Sequence, residues 1–334
     1  MHAVRLHAFG PAENLTYEEV PDPIPGPGQV RIAVQAAGVH LIDTTLRGGH
    51  RLGPLPLPDL PTVPGREVAG TVELLGEGTD PGWLGRRVTV HLGAAPGGYA
   101  ELAVADAAAL QPVPGDMTAA QAVALIGTGR TVMGVLRNAE IKPGDTVLVL
   151  SAAGGMGALL TQYAKHRGAR VIGAAGGPAK TAVVTRLGAD LAVDYDLPDW
   201  ADRIRTAYGE RPVHHLFDGP GGALGRTALD LVAHGGSHHA YGGSSSLPTA
   251  TGRPAQAAVP PLSADELHDR GIVVHPLDPA FMQSHKRELE EAALRSAADG
   301  TLVPLVDEYP LARAAEAHRA LETRGTTGKV VLVP

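Results

Sequence analysis

The residues best placed to do chemistry in this chain fall between Thr146 and Gly157, TVLVLSAAGGMG. An apolar, strand-like stretch runs straight into Ala152, Gly154 and Gly157, an A-x-G-x-x-G spacing. Small residues there let the chain turn tightly, let backbone approach a pyrophosphate, and let the next helix pack close to the strand. The phosphate then sits at the helix amino end, where unpaired N–H groups and the macrodipole favour negative charge. The alternative is a glycine turn that binds nothing; a strand before it and a helix after it argue against that.

A site for NAD places an acid about twenty residues further on, to hold the ribose hydroxyls. Here the second strand ends Val171-Ile172-Gly173-Ala174-Ala175-Gly176-Gly177, with no carboxylate. Its small residues leave room for a 2′-phosphate, and Lys180 follows with a charge to pair with it. Tyr195, after the third strand, can pack near an adenosine. The expectation is NADPH rather than NADH, and the alternative for Lys180 is a solvated lysine on a helix's first turn.

The elements that must position these residues can be read from periodicity. From Thr146 onward, short buried-strand runs (Thr146 to Leu150, Arg170 to Gly173, Leu191 to Val193, Val213 to Phe217, Ser237 to Tyr241) alternate with helical stretches. The helices expected are Gly155 to His166, Ala179 to Leu187, Trp200 to Ala207 and Gly222 to Val232. Such alternation implies a doubly wound parallel sheet covered on both faces. The first third instead reads as short strands broken by Gly and Pro: Val30 to Val39, Glu67 to Leu75, Arg87 to Leu92 and Tyr99 to Val104. The proline run Pro54 to Pro64 reads as a surface loop, walling a cleft or merely spacing. Thr118 caps a helical pattern through Ala122 and Leu125 to Val132–Leu136. The segment Gly242 to Pro261 reads as a loop over the sheet's carboxyl edge. Ile272 to His275 and Lys329 to Val333 read as further strands.

At 334 residues the length predicts two domains. The formal net charge of −7, with no block of like charges, argues against nucleic acid or an anionic membrane as the main partner. The absence of cysteine excludes disulfides, thiolate metal sites and a cysteine nucleophile, and fits an intracellular location. The start, MHAVRLHAFG, lacks a signal peptide's apolar core, and no run of eighteen apolar residues is available to span a bilayer. A cytoplasmic protein is expected.

Further motifs extend the picture. They are Pro25-Gly26-Pro27-Gly28-Gln29-Val30, Ala37 to Asp43 (AGVHLID), Pro64 to Gly70 (PGREVAG), Gly97 to Glu101 (GGYAE), Lys142-Pro143-Gly144-Asp145 before the glycine turn, and Glu322-Thr323-Arg324 with Gly328-Lys329-Val330. Together they resemble the medium-chain dehydrogenase/reductase superfamily, zinc-independent quinone oxidoreductase branch, over nearly the whole chain. The resemblance implies an α/β protein with a GroES-like β-rich substrate domain, 1–121 and 276–334, around a Rossmann domain, 122–275. It implies hydride transfer from NADPH to a small-molecule quinone or α,β-unsaturated carbonyl, in a homodimer. It also implies cofactor contacts from His40, Thr131, Gly154, Gly155, Met156, Lys180, Tyr195, Gly219, Tyr241, Gly242 and Arg324.

His40 stands where this branch usually has asparagine; it either offers a donor to a ribose hydroxyl or substrate carbonyl, or packs at the cleft floor. Zinc relatives carry cysteine at the His40 position and histidine at the Arg66 position, so no metal is expected. Many reductases of the branch have tyrosines after the aspartate, whereas Asp43 to Arg51 has none. A proton donor must then be His50, Thr45 or an ordered water, while His40 and Arg47 are the candidates for polarising the substrate carbonyl. Asp43 is expected to orient neighbouring backbone or Arg47. The rivals are an enoyl-thioester reductase working in trans, a biosynthetic enone reductase, and a non-catalytic NADPH-binding protein.

Overall fold

The computed structural model describes residues 1–51, 56–93, 96–244 and 263–334. The chain starts with a two-stranded antiparallel ribbon, β1 (His2–Leu6) with β2 (Leu15–Glu19). β3 (Gln29–Gly38) follows, and is the longest of the described strands. After the short helix α1 (Leu41–Arg47), β3 pairs antiparallel with β4 (Glu67–Leu75), and β4 with β5 (Arg87–His91). β6 (Leu102–Asp106) returns to β3, and β7 (Gln111–Pro112) closes on β5. Valines, alanines and Ile32 alternate inward along β3 and β4, giving one core with Leu6, Leu110 and Tyr99.

A helical run then carries the chain away. It comprises α2 (Ala119–Ala124), a π-type turn at Leu125–Gly129, and α3 (Arg130–Leu136). Thr118 caps it as expected: its hydroxyl accepts from Gln121 N at 3.1 Å, and the Gln121 amide oxygen accepts from Thr118 N at 3.0 Å. The run Ala119–Leu136 has the length and mean hydropathy, 1.3, of a membrane span, although no eighteen consecutive residues are apolar. It is 72% buried among the other elements, as a core helix is.

The parallel sheet is built from β8 (Thr146–Leu150), β9 (Arg170–Ala175), β10 (Leu191–Asp194), β11 (Val213–Asp218), β12 (Val232–Ala240) and β13 (Val273–Pro276). Their spatial order is β10-β9-β8-β11-β12-β13, the dinucleotide-fold order that reverses direction beside the first strand. α4 (Gly155–His166), α5 (Pro178–Arg186), α6 (Trp200–Tyr208) and α7 (Gly222–Leu229) form the crossovers. α8 (Ala264–Asp269), α9 (Pro279–Ser284) and α10 (Lys286–Ala298) complete the cover. Every residue of β8 is buried, as a strand covered on both faces requires.

The chain then goes back. β14 (Val306–Pro310), α11 (Ala314–Glu322) and β15 (Lys329–Val333) join the first sheet, with β15 antiparallel to β3 through Val331–Gly38 and Leu332–Ala37. One sheet is thus made of both ends of the chain.

Local departures from the sequence pattern have simple causes. The helix expected to reach Val232 stops at Leu229, because Leu231 and Val232 are buried in the sheet's own core and Val232 opens β12. The strand expected from Tyr99 starts at Leu102, because the Tyr99 ring is fully buried and its hydroxyl donates to Asp43 Oδ2 at 3.1 Å. Most of the segment Gly242 to Pro261, and Pro54 with Leu55 of the proline run, lie outside the described residues.

Candidate active site

The turn after β8 has the form its sequence demands. Ser151 is held at φ 53°, a left-handed conformation rare for a residue with a side chain and typical of functional turns. Gly157 packs onto the Ser151 carbonyl and the Ala152 backbone, so that any Cβ there would collide with them. Gly154 starts α4 without a side-chain cap, and its own N–H is used on Ser151 O at 2.9 Å. The amides of Gly155, Met156 and Gly157 precede the first intrahelical donor, Ala158 N, which reaches Gly154 O at 2.8 Å, and point out of the helix end. A cradle that only glycine fits, facing a free helix amino end, suits a dinucleotide pyrophosphate.

This turn is joined to the first sheet by the tail of the chain. Gly328 N donates to Ala153 O at 2.7 Å, and Gly155 lies against the Lys329 backbone. The Lys329 side chain, itself only 6% exposed, runs to Glu67, where Nζ lies 2.5 Å from Oε1. His40 Nε2 lies 2.8 Å from the same oxygen. Glu67 fills a slot floored by two glycines: a Cβ on Gly38 would overlap Oε1, and one on Gly127 would overlap Oε2. The π-type turn places Gly127 there, widening the helix where the carboxylate and the His40 ring need room. Burial alone would raise the Glu67 carboxyl, but His40 and Lys329 beside it prevail and hold it well below the usual carboxylate range. His91, at the end of β5, is kept neutral by burial, with a pKa lowered to about 3 although Glu67 pulls it up; its Nδ1 accepts from Gly93 N at 3.0 Å.

His40 is the N-cap of α1; its backbone N–H donates to Asp43 Oδ2 at 2.8 Å. Asp43 therefore orients backbone, one of the two roles expected for it, and it also accepts from Tyr99. His40's Nε2 is buried, whereas the side chain as a whole is 24% exposed. Arg47 is turned away from the polarising role expected of it. Its side chain is 1% exposed, paired inside the protein with Glu322 of α11, and it presents no charge to a cleft. Thr45 is buried, with Oγ1 unbonded among the described residues, and His50 is exposed just past α1. His40 is thus the one of the four expected catalytic side chains that touches the Glu67–Lys329 cluster. Glu67 and Lys329 stood in the sequence motifs without a role; the signal was a carboxylate at the head of an otherwise buried apolar strand.

Of the other expected cofactor residues, Tyr195, Gly219, Tyr241 and Gly242 follow the ends of β10, β11 and β12. Thr131 Oγ1 donates back to Gly127 O at 2.9 Å on the π-type turn. Gly219 lies beneath the Tyr241 ring, and Gly242 packs on Gly219 O, where a Cβ would come to 2.5 Å. Lys180 Nζ donates to the carbonyl of Arg324 at 2.5 Å, and Arg324 has φ 57°. Tyr195 packs beside Gly176. Among the described residues, no three His, Asp or Glu side chains gather in a way that could hold a metal ion.

This sheet order and glycine cradle, with a β-rich domain closed by the tail, define a two-domain dehydrogenase. The alcohol dehydrogenase GroES-like domain model matches residues 26–115, and the zinc-binding dehydrogenase model matches residues 155–274. The chain is 32% identical to a 2-haloacrylate reductase of Burkholderia sp, over 99% of this chain and 98% of that one. It is 31% identical to quinone oxidoreductase 1 of Escherichia coli, over 99% of both. The solved structure of Escherichia coli quinone oxidoreductase complexed with NADPH superposes with a TM-score of 0.83, at 28% identity and full coverage of both chains. The chain belongs to the medium-chain dehydrogenase/reductase superfamily, in its quinone oxidoreductase branch. It is an NAD(P)H-dependent oxidoreductase acting on a small molecule.

Proposed function

We propose that this enzyme reduces an electron-poor carbon–carbon double bond conjugated to a carbonyl, in a quinone or an enone, with NADPH, and that His40 acts on the substrate oxygen. The observation that carries this reading is the unbroken path from the glycine cradle through Lys329 and Glu67 to His40. It puts an ionisable ring within one lysine's length of the helix end that suits a pyrophosphate. NADPH, when bound, supplies the hydride. Gly154 to Met156 offer backbone amides to its pyrophosphate, and Lys180 with Tyr195 flank the ribose edge of the sheet.

The chain's own contribution is orientation and a donor toward negative charge developing on the substrate oxygen. Glu67 fixes the orientation of the His40 ring. An ionised carboxylate only accepts, so the Nε2 facing it carries the hydrogen. His40, the donor expected from sequence, is held in place by Glu67 at the head of α1. Arg47 has no part in the step, because it is bound to Glu322.

Two further parts of the reading have their own supports. The edge strand β13 exposes Val273 and Val274, 52% and 37%, so it suits pairing with a second copy of the chain. The lack of cysteine suits the cytoplasm.

The test is nicotinamide oxidation by quinones, simple enones and enoyl thioesters, for wild type and His40→Asn. Turnover of quinones or enones by wild type, lowered in His40→Asn, is the expected outcome. A tight NADPH complex with no turnover of any acceptor would make the chain a binder; unchanged kinetics in His40→Asn would remove His40 from the reaction.

A further inference from the structure

The ribose edge of the parallel sheet contains a carboxylate that the end of β9 lacks. It comes from the next strand. Asp194, the last residue of β10, accepts from Gly177 N at 2.8 Å and from Asp196 N at 3.0 Å, both on Oδ1. One oxygen therefore pins the β9–α5 loop to the β10–α6 loop. Gly177, at φ 83°, gives the first loop the conformation to reach it.

The clamp sets the position of Asp196. Its carboxylate lies over Gly176, where a Cβ would come within 2.7 Å of Oδ2. Lys180, one turn into α5, is half-buried beside it. Burial lowers the Lys180 ammonium, Asp196 pulls it back up, and the Arg324 guanidinium pushes it down. The ammonium feels the Asp196 charge while one of its N–H groups is already spent on Arg324 O.

From this geometry we infer that Asp196 is a specificity-determining residue, one that opposes the 2′-phosphate which Lys180 attracts and so keeps the preference for 2′-phosphorylated nucleotides narrow. The inference rests on the reading that Lys180 and Gly176 flank the adenosine ribose. A 2′-phosphate there must share the Lys180 charge with Asp196 and approach a like charge, whereas a free 2′-hydroxyl meets neither cost and can donate to the carboxylate. Because Asp196 is exposed, the repulsion is screened by water and salt, and the effect is moderate.

The experiment measures binding of 2′,5′-ADP and 5′-AMP to the full chain by titration calorimetry, at low and high salt, for wild type, Asp196→Asn, Asp196→Ser and Lys180→Met. Neither probe can transfer a hydride, so the readout is independent of turnover. The expected results are a tightening of 2′,5′-ADP by about three- to tenfold in both Asp196 variants, with 5′-AMP unchanged or weaker, and a smaller gain at high salt. Lys180→Met should lose most of the affinity for 2′,5′-ADP. If the Asp196 variants leave the ratio of the two affinities unchanged while Lys180→Met lowers it, the inference fails and the cofactor reading stands. If Lys180→Met also leaves the ratio unchanged, the reading of the ribose edge fails with it.

Discussion

Replacing Glu67 by glutamine tests the centre of the site most directly. The substitution keeps shape and removes one charge. Glu67 is wholly inaccessible, and Lys329 would be left with 6% exposure and no counterion. Removing one member of a buried pair typically costs about 3–5 kcal/mol, because the surviving charge stays desolvated. At about 2–4 °C per kcal/mol for a domain of this size, the unfolding midpoint should fall by roughly 6–20 °C. Each sheet has its own reporter: Trp83 packs on the first core and Trp200 on the second, so single Trp→Phe variants show which unit loses stability. Lys329→Met combined with Glu67→Gln removes both charges and should recover part of the loss. The acid side follows from the depressed Glu67 carboxyl. Its stabilisation is full above the unfolded value of 4.5 and is lost as pH falls below it towards the lower folded value, a slope that Glu67→Gln should lack. A loss of stability under about 1 kcal/mol, or a double variant worse than the sum of the singles, would refute the ion-pair account.

Other expectations follow from the same contacts. Gly127→Ala drives a Cβ into Glu67 Oε2 and should cost about 1–3 kcal/mol in urea unfolding while lowering turnover; a silent variant would mean the π-type turn has slack. Gly157→Ala puts a methyl onto the Ser151 carbonyl and should weaken nucleotide binding measured by calorimetry more than it lowers the melting point. Tyr99→Phe removes the hydroxyl that bridges Asp43 Oδ2 at 3.1 Å and His318 Nε2 at 3.2 Å, and should cost about 1–3 kcal/mol, since two buried groups lose a partner. His239 and His318 are held neutral by burial, each at about 3 against an ordinary 6.5. Stability should therefore be full above 6.5 and fall with acid, by roughly 1.4 kcal/mol per histidine for each pH unit down towards 3. A melting point flat between about pH 7 and pH 5 would contradict this.

The parallel sheet was legible in the sequence because its order is local. Each strand run is followed by its own helix, and the Gly155–His166 helix starts and stops where its glycines and basic end require. The glycine cradle was legible for the same reason. What was hidden depends on contacts made far along the chain. Arg47 looks like a cleft cation on its own helix, yet Glu322, 275 residues away, takes it inside. Glu67 and Lys329 each look like a polar end of an apolar strand, and only the pairing of β15 with β3 places them beside each other. Asp196 is not legible in the pattern because an acid is expected at the end of β9, while the loops there are bridged from the neighbouring strand by Asp194.

The return of β15 to β3 also sets an order of assembly. The parallel sheet uses a continuous stretch, Thr146 to Pro276, whose crossovers are local, so it can form as soon as that stretch has left the ribosome. β3 is made early and β6 covers Gln29 to Ala33 of one edge, but the Ala37–Gly38 end of that edge stays unpaired until residues 329–333 arrive. During synthesis the first sheet must therefore wait with the apolar end of one strand open, and the residue that finishes the site, Lys329, is also the first of the strand that covers that end.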